Sequence, residues 1–137
     1  MSVDTINPPD WPQPRGYANG TIARGRVLHV AGQIGWDAQQ QFASDELVAQ
    51  FATALDNVLA VVRAAGGAPW DIAEMTVYVT DLPAYRAGAK ALGPIWKERM
   101  GKHYPAMALV GVAGLVEPQA LVEIEAVAAL RRAGEGR

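Results

Sequence analysis

The chain has 137 residues, of which 50% are hydrophobic and 19% are charged. This length and balance are typical of one packed domain, residues 1–137, and leave no room for a second. The formal net charge is -2 and no run of Lys or Arg occurs, so a nucleic-acid-binding surface is not expected. The lack of cysteine excludes disulfides, thiol catalysis and thiolate zinc sites.

Nothing in the sequence predicts export or membrane insertion. The N-terminus lacks the apolar core of a signal peptide, and no stretch reaches the roughly 18 apolar residues that span a bilayer. Together with the absence of cysteine, this favours a cytoplasmic protein with no membrane partner.

Prolines dominate the N-terminal segment, residues 1–16. They are Pro8, Pro9, Pro12 and Pro14. Because proline fixes φ and lacks an N–H donor, we expect an extended arm, pinned to the body by Trp11. Two β-type runs then flank Arg24-Gly25 and predict a hairpin over residues 17–33, which ends in a glycine-flanked loop.

The first helix is predicted to begin after Ser44 as N-cap and to end at Gly66-Gly67. Its apolar residues recur at steps of three and four and form one stripe. They are Leu47, Phe51, Leu55, Val58 and Val62. Met75, Val77 and Val79 alternate with polar residues and predict a half-buried strand.

A second helix is predicted from Asp81 to about Gly101, with Tyr85, Leu92 and Trp96 on its buried side. Gly93-Pro94 interrupts it, and an interior proline costs about 3 kcal/mol, so we expect a kink or break there.

Two strands, from Ala106 and from Leu121, complete a β-β-α-β-α-β-β order, followed by a solvated tail at residues 131–137. This order predicts an α+β, two-layer sandwich.

Two helices cover only one face of such a sheet, and the other face is also apolar. If Ala108 and Val110 face the helices, Met107 and Leu109 point away from them. Soluble monomers rarely leave a large apolar patch in water, so we expect identical subunits to cover this face. The alternative is that the N-terminal arm folds over it.

Several segments, in order along nearly the whole chain, resemble the RidA family of reactive-intermediate deaminases. They are Tyr17 with Asn19-Gly20, AGQIGWD at 31–37, AQFATALDNVLAVVRAAGG at 49–67, TVYVTDL at 76–82, YPA at 104–106 and VEIEAVA at 122–128. The resemblance implies a chorismate-mutase-like homotrimer with a cleft between each pair of subunits, where a small imine or enamine derived from an amino acid is hydrolysed.

The resemblance also implies site residues. The family's glutamate near the end of the chain, which helps to position or activate water, falls on Glu123, and its first-strand tyrosine falls on Tyr17. The arginine that pairs with the substrate carboxylate does not carry over, because its position is Met107, and a methionine cannot form that bidentate pair. The family's serine before Gly32 is Ala31, and its cysteine two residues after the arginine is Leu109. The resemblance therefore implies a divergent member of the family, and we expect an atypical substrate.

The residues themselves support part of this site. Glu123 and Glu125 lie two apart on one strand and so point to one face, about 6.6 Å apart along it. At a cleft, Glu123 can act as a general base, although a solvated or interface charge is the more common fate of a strand glutamate. The backbone N–H groups from Gly32 to Gly35 can bind an oxyanion.

Further ligand-binding candidates surround this glutamate. The candidates in the first loop are Gly32, Gln33, Ile34, Gly35 and Trp36. His103 is a candidate acid, base or anion ligand, with an exposed loop histidine as the alternative. Arg99 and Lys102 are guesses at what replaces the missing arginine. Two histidines without metal-ligand spacing, and the absence of nucleotide-binding glycine motifs, predict no metal and no cofactor.

The leading hypothesis is a homotrimeric imine or enamine hydrolase with Glu123 as catalytic residue, whose partners are its own copies and a small-molecule ligand. Whether the chain turns over a substrate is left open. The alternative is a non-catalytic small-molecule-binding or regulatory trimer of the same fold, which the apolar Met107, Ala31 and Leu109 favour. An RNA-acting protein is a third reading, which the net charge of -2 argues against.

Overall fold

The computed structural model describes residues 2–131, which form six strands and two helices. The strands are β1 (Val3–Ile6), β2 (Gly20–Ala23), β3 (Arg26–Ile34), β4 (Ile72–Val79), β5 (Ala106–Gly111) and β6 (Val122–Leu130). The helices are α1 (Leu47–Ala64) and α2 (Leu82–Met100), and a short 3-10 turn, Pro69–Asp71, precedes β4. The predicted tail at 131–137 lies outside the described residues beyond Arg131.

The main sheet has the strand order β3-β6-β4-β5. β4 and β5 are parallel, because α2 connects them, and the other pairs are antiparallel. Both helices pack on one face of this sheet, so the chain has the predicted α+β, two-layer architecture of chorismate-mutase-like proteins.

Helix α1 supplies most of the core. All five residues of its predicted stripe are buried against the sheet, and Gly66 takes a positive φ of 86° just after the helix end, as predicted. The predicted N-cap was wrong: Glu46 occupies that position, and Ser44 Oγ accepts a hydrogen bond from the Glu46 N–H in the preceding turn. By length and composition α1 is apolar enough to cross a membrane, which its place in the core explains.

Helix α2 is continuous from Leu82 to Met100, so the expected break at Gly93-Pro94 does not occur. Asp81 caps it by accepting a hydrogen bond from Ala84 N at 3.0 Å. Pro94 is exposed, as is Lys90, whose carbonyl loses its helical donor. Water can therefore replace the missing donor, and the proline is tolerated.

The N-terminal region differs from the predicted hairpin. Both predicted strands form, but β2 pairs with β1 in a separate two-stranded sheet, and β3 pairs only with β6. Trp11 is exposed and does not anchor the arm. Buried Ser2 does so instead, because its hydroxyl donates a 2.7 Å hydrogen bond to Asp71.

The face of β5 was also assigned in the wrong phase. Met107 and Leu109 pack against the core, and Ala108 and Val110 lie on the face that turns away from the helices. We call this second face of the main sheet the outer face. Val27 and Val110, on this face, are 62% and 41% exposed, so the N-terminal arm does not cover it.

Gln50 of α1 fastens the loop before β6 to the rest of the fold. Its side chain is 1% exposed. Nε2 donates to the carbonyls of Ser44 at 3.0 Å and Gln119 at 2.9 Å, and Oε1 accepts from Leu121 N at 2.8 Å. One amide therefore joins three backbone groups from two loops.

We predict that Gln50→Ala lowers the free energy of unfolding by about 2–4 kcal/mol, because it leaves three backbone groups without their protein partner. Urea denaturation followed by circular dichroism measures the change. Thr53→Ala on the same helix removes one hydrogen bond within the helix and is expected to change stability by about 0.5 kcal/mol or less. Equal effects of the two substitutions would contradict the role of Gln50.

Candidate functional site

The outer face brings Glu123 into direct contact with Gly32. A Cβ built on Gly32 would lie 2.6 Å from Cδ of Glu123 and 2.9 Å from its Oε2. A side chain here would require the Glu123 carboxylate to move, so glycine permits this close approach. Glu123 is half-buried and Gly32 is exposed, so the contact lies at the surface of the sheet.

The strand beside Gly32 is irregular. The register between β3 and β6 shifts between Val30 and Gln33, so Ala31 and Gly32 have no paired residues on β6. The segment that was predicted as a loop is therefore a bulge within β3, followed by two paired residues. Bulges often redirect the backbone beside a functional site.

The other predicted residues of this segment point in different directions. Gln33 is half-buried, and its Nε2 donates to Ala31 O at 3.2 Å. Ile34 and Gly35 are buried, and a Cβ on Gly35 would lie 2.6 Å from Cβ of Gln50, so both residues pack towards α1 and away from the outer face. Trp36 packs on Phe42, with ring centroids 5.8 Å apart.

Asn57 is a positioning residue that the sequence analysis did not identify. Its Nδ2 donates to Ile34 O at 2.9 Å and to Trp36 O at 2.7 Å, and thereby fixes the end of β3. The sequence does carry a signal for it. Gln50 and Asn57 are two amides seven residues apart on a largely apolar helix, so they share a face.

A second carboxylate on the outer face has its own partner. The Tyr78 hydroxyl donates a hydrogen bond to Glu125 Oε1. This bond, burial of the phenol and the negative charges of Glu125 and Glu123 raise the pKa of Tyr78. Tyr78 therefore stays protonated. It donates its hydrogen bond to Glu125 and not to Glu123.

Met107, Tyr17 and His103 lie elsewhere, around the start of β5. Met107 lines an apolar pocket on the helix side, and Gly16, next to exposed Tyr17, lines it too. His103 is half-buried behind this pocket, where its Nε2 is 2.7 Å from Ile72 O. That bond ties the segment before β5 to the start of β4 and favours the tautomer with a proton on Nε2.

Arg99 and Lys102, the two candidates to replace the missing arginine, do not line this pocket. Arg99 Nε binds Asp56 Oδ1 at 2.6 Å, and its Nη2 lies 3.3 Å from Oδ2, which ties α2 to α1. This pairing raises the pKa of Arg99. Lys102 is exposed in the turn after α2.

The predicted site residues thus fall into two groups that one chain does not bring together. Glu123, Gly32 and Gln33 lie on or beside β6 at the outer face, whereas Met107 faces the helices on β5. β4 lies between these strands, and neighbouring strands are about 4.8 Å apart, so about 10 Å and the thickness of the sheet separate the groups. Within residues 2–131, no group of three His, Asp or Glu side chains is placed to hold a metal ion.

Comparison with known proteins identifies the family. The sequence profile of the family described as endoribonuclease L-PSP matches residues 11–130. A crystal structure of the Rid family protein YyfB from Yersinia pestis superposes with a TM-score of 0.84, at 34% identity, over 95% of this chain and 100% of that one. The chain belongs to the RidA (L-PSP) family.

Other members of the RidA family agree with this assignment. A RutC family protein from Pyrococcus horikoshii is 32% identical over 118 residues, which are 85% of this chain and 90% of that protein. The crystal structure of TdcF from E. coli, with bound serine, has a TM-score of 0.68 at 30% identity and covers 93% of this chain and 98% of TdcF. Proteins of this family are oligomeric.

We predict that Glu125→Gln lowers the pKa of Tyr78 towards the ordinary value for tyrosine, because it removes a negative charge and the carboxylate that accepts the hydrogen bond of the phenol. Titration of tyrosinate absorbance near 295 nm, compared with wild type, measures the shift. In a Tyr78→Phe background the same substitution is expected to leave the titration of the other three tyrosines unchanged. An unaltered titration in the single variant would refute the coupling.

Proposed function

We propose that this RidA-family chain is a hydrolase of the imine and enamine deaminase type, which acts on a small metabolite at clefts between the subunits of a cytoplasmic homotrimer. The observation that carries the proposal is the carboxylate of Glu123 lying against the bare Cα of Gly32 on an exposed sheet face. It combines a proton acceptor with approachable backbone, which hydrolysis of a C=N bond requires.

The separation of the two residue groups supports a site built from two subunits. Glu123 and Gly32 lie on the outer face, and Met107 with Tyr17 lies at the β5 edge on the helix side. A neighbouring copy that covers the exposed Val27 and Val110 can bring its own β5 edge against the Glu123 group. The trimer therefore accounts for both the exposed valines of the outer face and the divided site.

In the proposed reaction, Glu123 accepts a proton from water as the oxygen attacks the C=N carbon. Glu123 passes this proton to the nitrogen, which gives a carbinolamine. Glu123 then takes the hydroxyl proton of the carbinolamine and delivers it to the amine as the C–N bond breaks, so the products are a carbonyl compound and ammonia. An enamine first tautomerises to the imine. The backbone of Gly32, which has no partner residue on β6, orients the polar end of the ligand.

Glu125 is the weaker candidate for the base. Its carboxylate already accepts a hydrogen bond from the Tyr78 hydroxyl, so its lone pairs are partly occupied, whereas Glu123 lies beside Gly32. This difference supports Glu123 over Glu125 as the proposed base.

The substrate differs from ordinary amino-acid imines. TdcF, a relative, has been crystallised with serine, which carries a carboxylate. Met107 offers no charge to such a group, and losing an arginine pair in a desolvated cleft costs about 2–5 kcal/mol. RNA is disfavoured as substrate, because the outer face carries Glu74, Glu123 and Glu125, which repel phosphates.

Glu123→Gln is expected to reduce kcat for ammonia release by about 100-fold or more, because a general base contributes 10²- to 10⁴-fold. The assay supplies a panel of imines, generated in place by amine and amino-acid oxidases, and measures ammonia formed above the uncatalysed rate. Glu125→Gln, on the same strand and face, is the matched control and should lose less than tenfold.

Equal rates for Glu123→Gln and wild type would remove Glu123 from the mechanism. No acceleration with any imine would favour the alternative, a binding or regulatory trimer. That alternative draws support from the apolar residues at positions 31, 107 and 109.

The molar mass of the wild-type protein in solution is predicted to be close to three times the 14.6 kDa of one chain. Val110→Asp should shift it towards the single chain, because the interface would have to bury an unpaired charge. Val116→Asp, at a loop position that is 96% exposed, is the matched control and should leave the mass unchanged. Analytical ultracentrifugation distinguishes these outcomes, and a monomeric wild type would refute the trimer.

A further inference from the structure

An apolar pocket opens on the helix side of the sheet, between α2 and β5. Its volume is about 170 Å³. Its walls include Phe51, Tyr85, Trp96, Tyr104, Met107 and Leu109. Met107 is the position at which the family's arginine is missing, so the pocket occupies the place where a carboxylate clamp is expected.

The aromatic walls of the pocket are held in place. Trp96 and Tyr104 stack with ring centroids 5.7 Å apart and an angle of 5° between their planes. Trp96 Nε1 donates to His103 O at 3.1 Å, and His103 is itself bonded to Ile72 O. The polar atom of the indole is therefore satisfied outside the pocket, and an apolar ring face is presented to its interior.

The pocket provides no countercharge for an ionised ligand. In the described part of the chain, no charged side chain lines it, and burial raises the pKa of Tyr85, one of its walls. A carboxylate that entered would lose its hydration without gaining a partner. The ligand group that fits is uncharged.

We propose that this pocket binds an uncharged hydrophobic group of about the size of one aromatic ring. A dry protein cavity of about 150 Å³ lined by apolar side chains is known to accept benzene, which matches the volume here. The stacked rings of Trp96 and Tyr104 form aromatic surface, which favours a planar ring over a branched chain.

The binding site stands whether or not Glu123 catalyses hydrolysis. Its extension to a substrate class rests on the proposed function: the imine would carry an uncharged aromatic substituent where amino-acid imines carry a carboxylate.

The first experiment measures binding of a matched pair, benzyl alcohol and benzoate, to the full chain by ligand-observed NMR. Wild type should bind benzyl alcohol at least tenfold more tightly than benzoate. Met107→Arg places a guanidinium in the pocket and should reverse this preference, because it pairs with the carboxylate and occupies apolar space. Val116→Arg adds the same charge at an exposed loop and should leave both affinities unchanged.

A second variant tests the pocket without burying a charge. Gly93 lines the pocket, and a Cβ built on it meets no atom within 4 Å, so Gly93→Leu can fill the space. It should abolish benzyl alcohol binding without lowering the melting temperature, because glycine is a poor residue in a helix. Wild type that binds neither compound, or that binds benzoate as well as the alcohol, overturns the pocket proposal, as does undiminished binding in Gly93→Leu.

The substrate class is tested with two imines that differ only in the carboxylate, generated from benzylamine and from phenylglycine. Wild type should release ammonia at least tenfold faster from the first. Hydrolysis of the phenylglycine imine alone would overturn this inference and leave the proposed hydrolase standing. Selective benzyl alcohol binding without hydrolysis of either imine would support the pocket and count against the proposed function.

Discussion

The main sheet has two faces but only two helices, which cover one of them, and this imbalance governs the rest of the molecule. α1 and α2 bury most of one face, with Leu55, Val58 and Val77 inaccessible to solvent. On the outer face Val27 and Val110 remain exposed to water. Exposure of apolar surface costs about 25 cal/mol of free energy for each Å². Covering this face by association therefore yields free energy that folding of one chain cannot recover.

The same imbalance places the polar groups of the site. A side chain on the outer face needs no partner within its own chain, so Glu123, Glu125 and Tyr78 can be retained there without destabilising the core. Tyr78 engages Glu125, which leaves Glu123 beside Gly32. On the helix side every group must fit the core, and Met107 and Leu109 are accordingly apolar. The chemistry of each face follows from what covers it.

Most of the architecture is readable from the sequence because it rests on local periodicity. The α1 stripe from Leu47 to Val62 and the alternation of β4 needed only side-chain spacing. The fully apolar β5 has no alternation, so its phase could not be read. It is set by the parallel register with β4, in which Met107 lies beside Met75. Similarly, β2 and β3 are adjacent in sequence, but β1 supplies a better partner for β2 through contacts that proximity does not reveal.

The site was less predictable, because it depends on contacts between distant segments. Glu123 and Gly32 were both identified, yet their contact follows from a bulge that no sequence motif marks. Asn57 was missed because its two acceptors are backbone carbonyls. Every residue has such a carbonyl, so the sequence does not mark which ones Asn57 binds. The helix proline at position 94 was misjudged for the opposite reason, since its local cost is real and solvent exposure offsets it.

The amides of α1 have a mechanical consequence. Gln50 grips the backbone at Leu121, two residues before Glu123, and Asn57 grips the backbone at Ile34, two residues after Gly32. Helix α1 thus holds both segments, the end of β3 and the start of β6, that meet on the outer face of the sheet. When α1 shifts or tilts with thermal motion, the two segments move with it. The distance between the Glu123 carboxylate and Gly32 therefore varies less than the position of either residue.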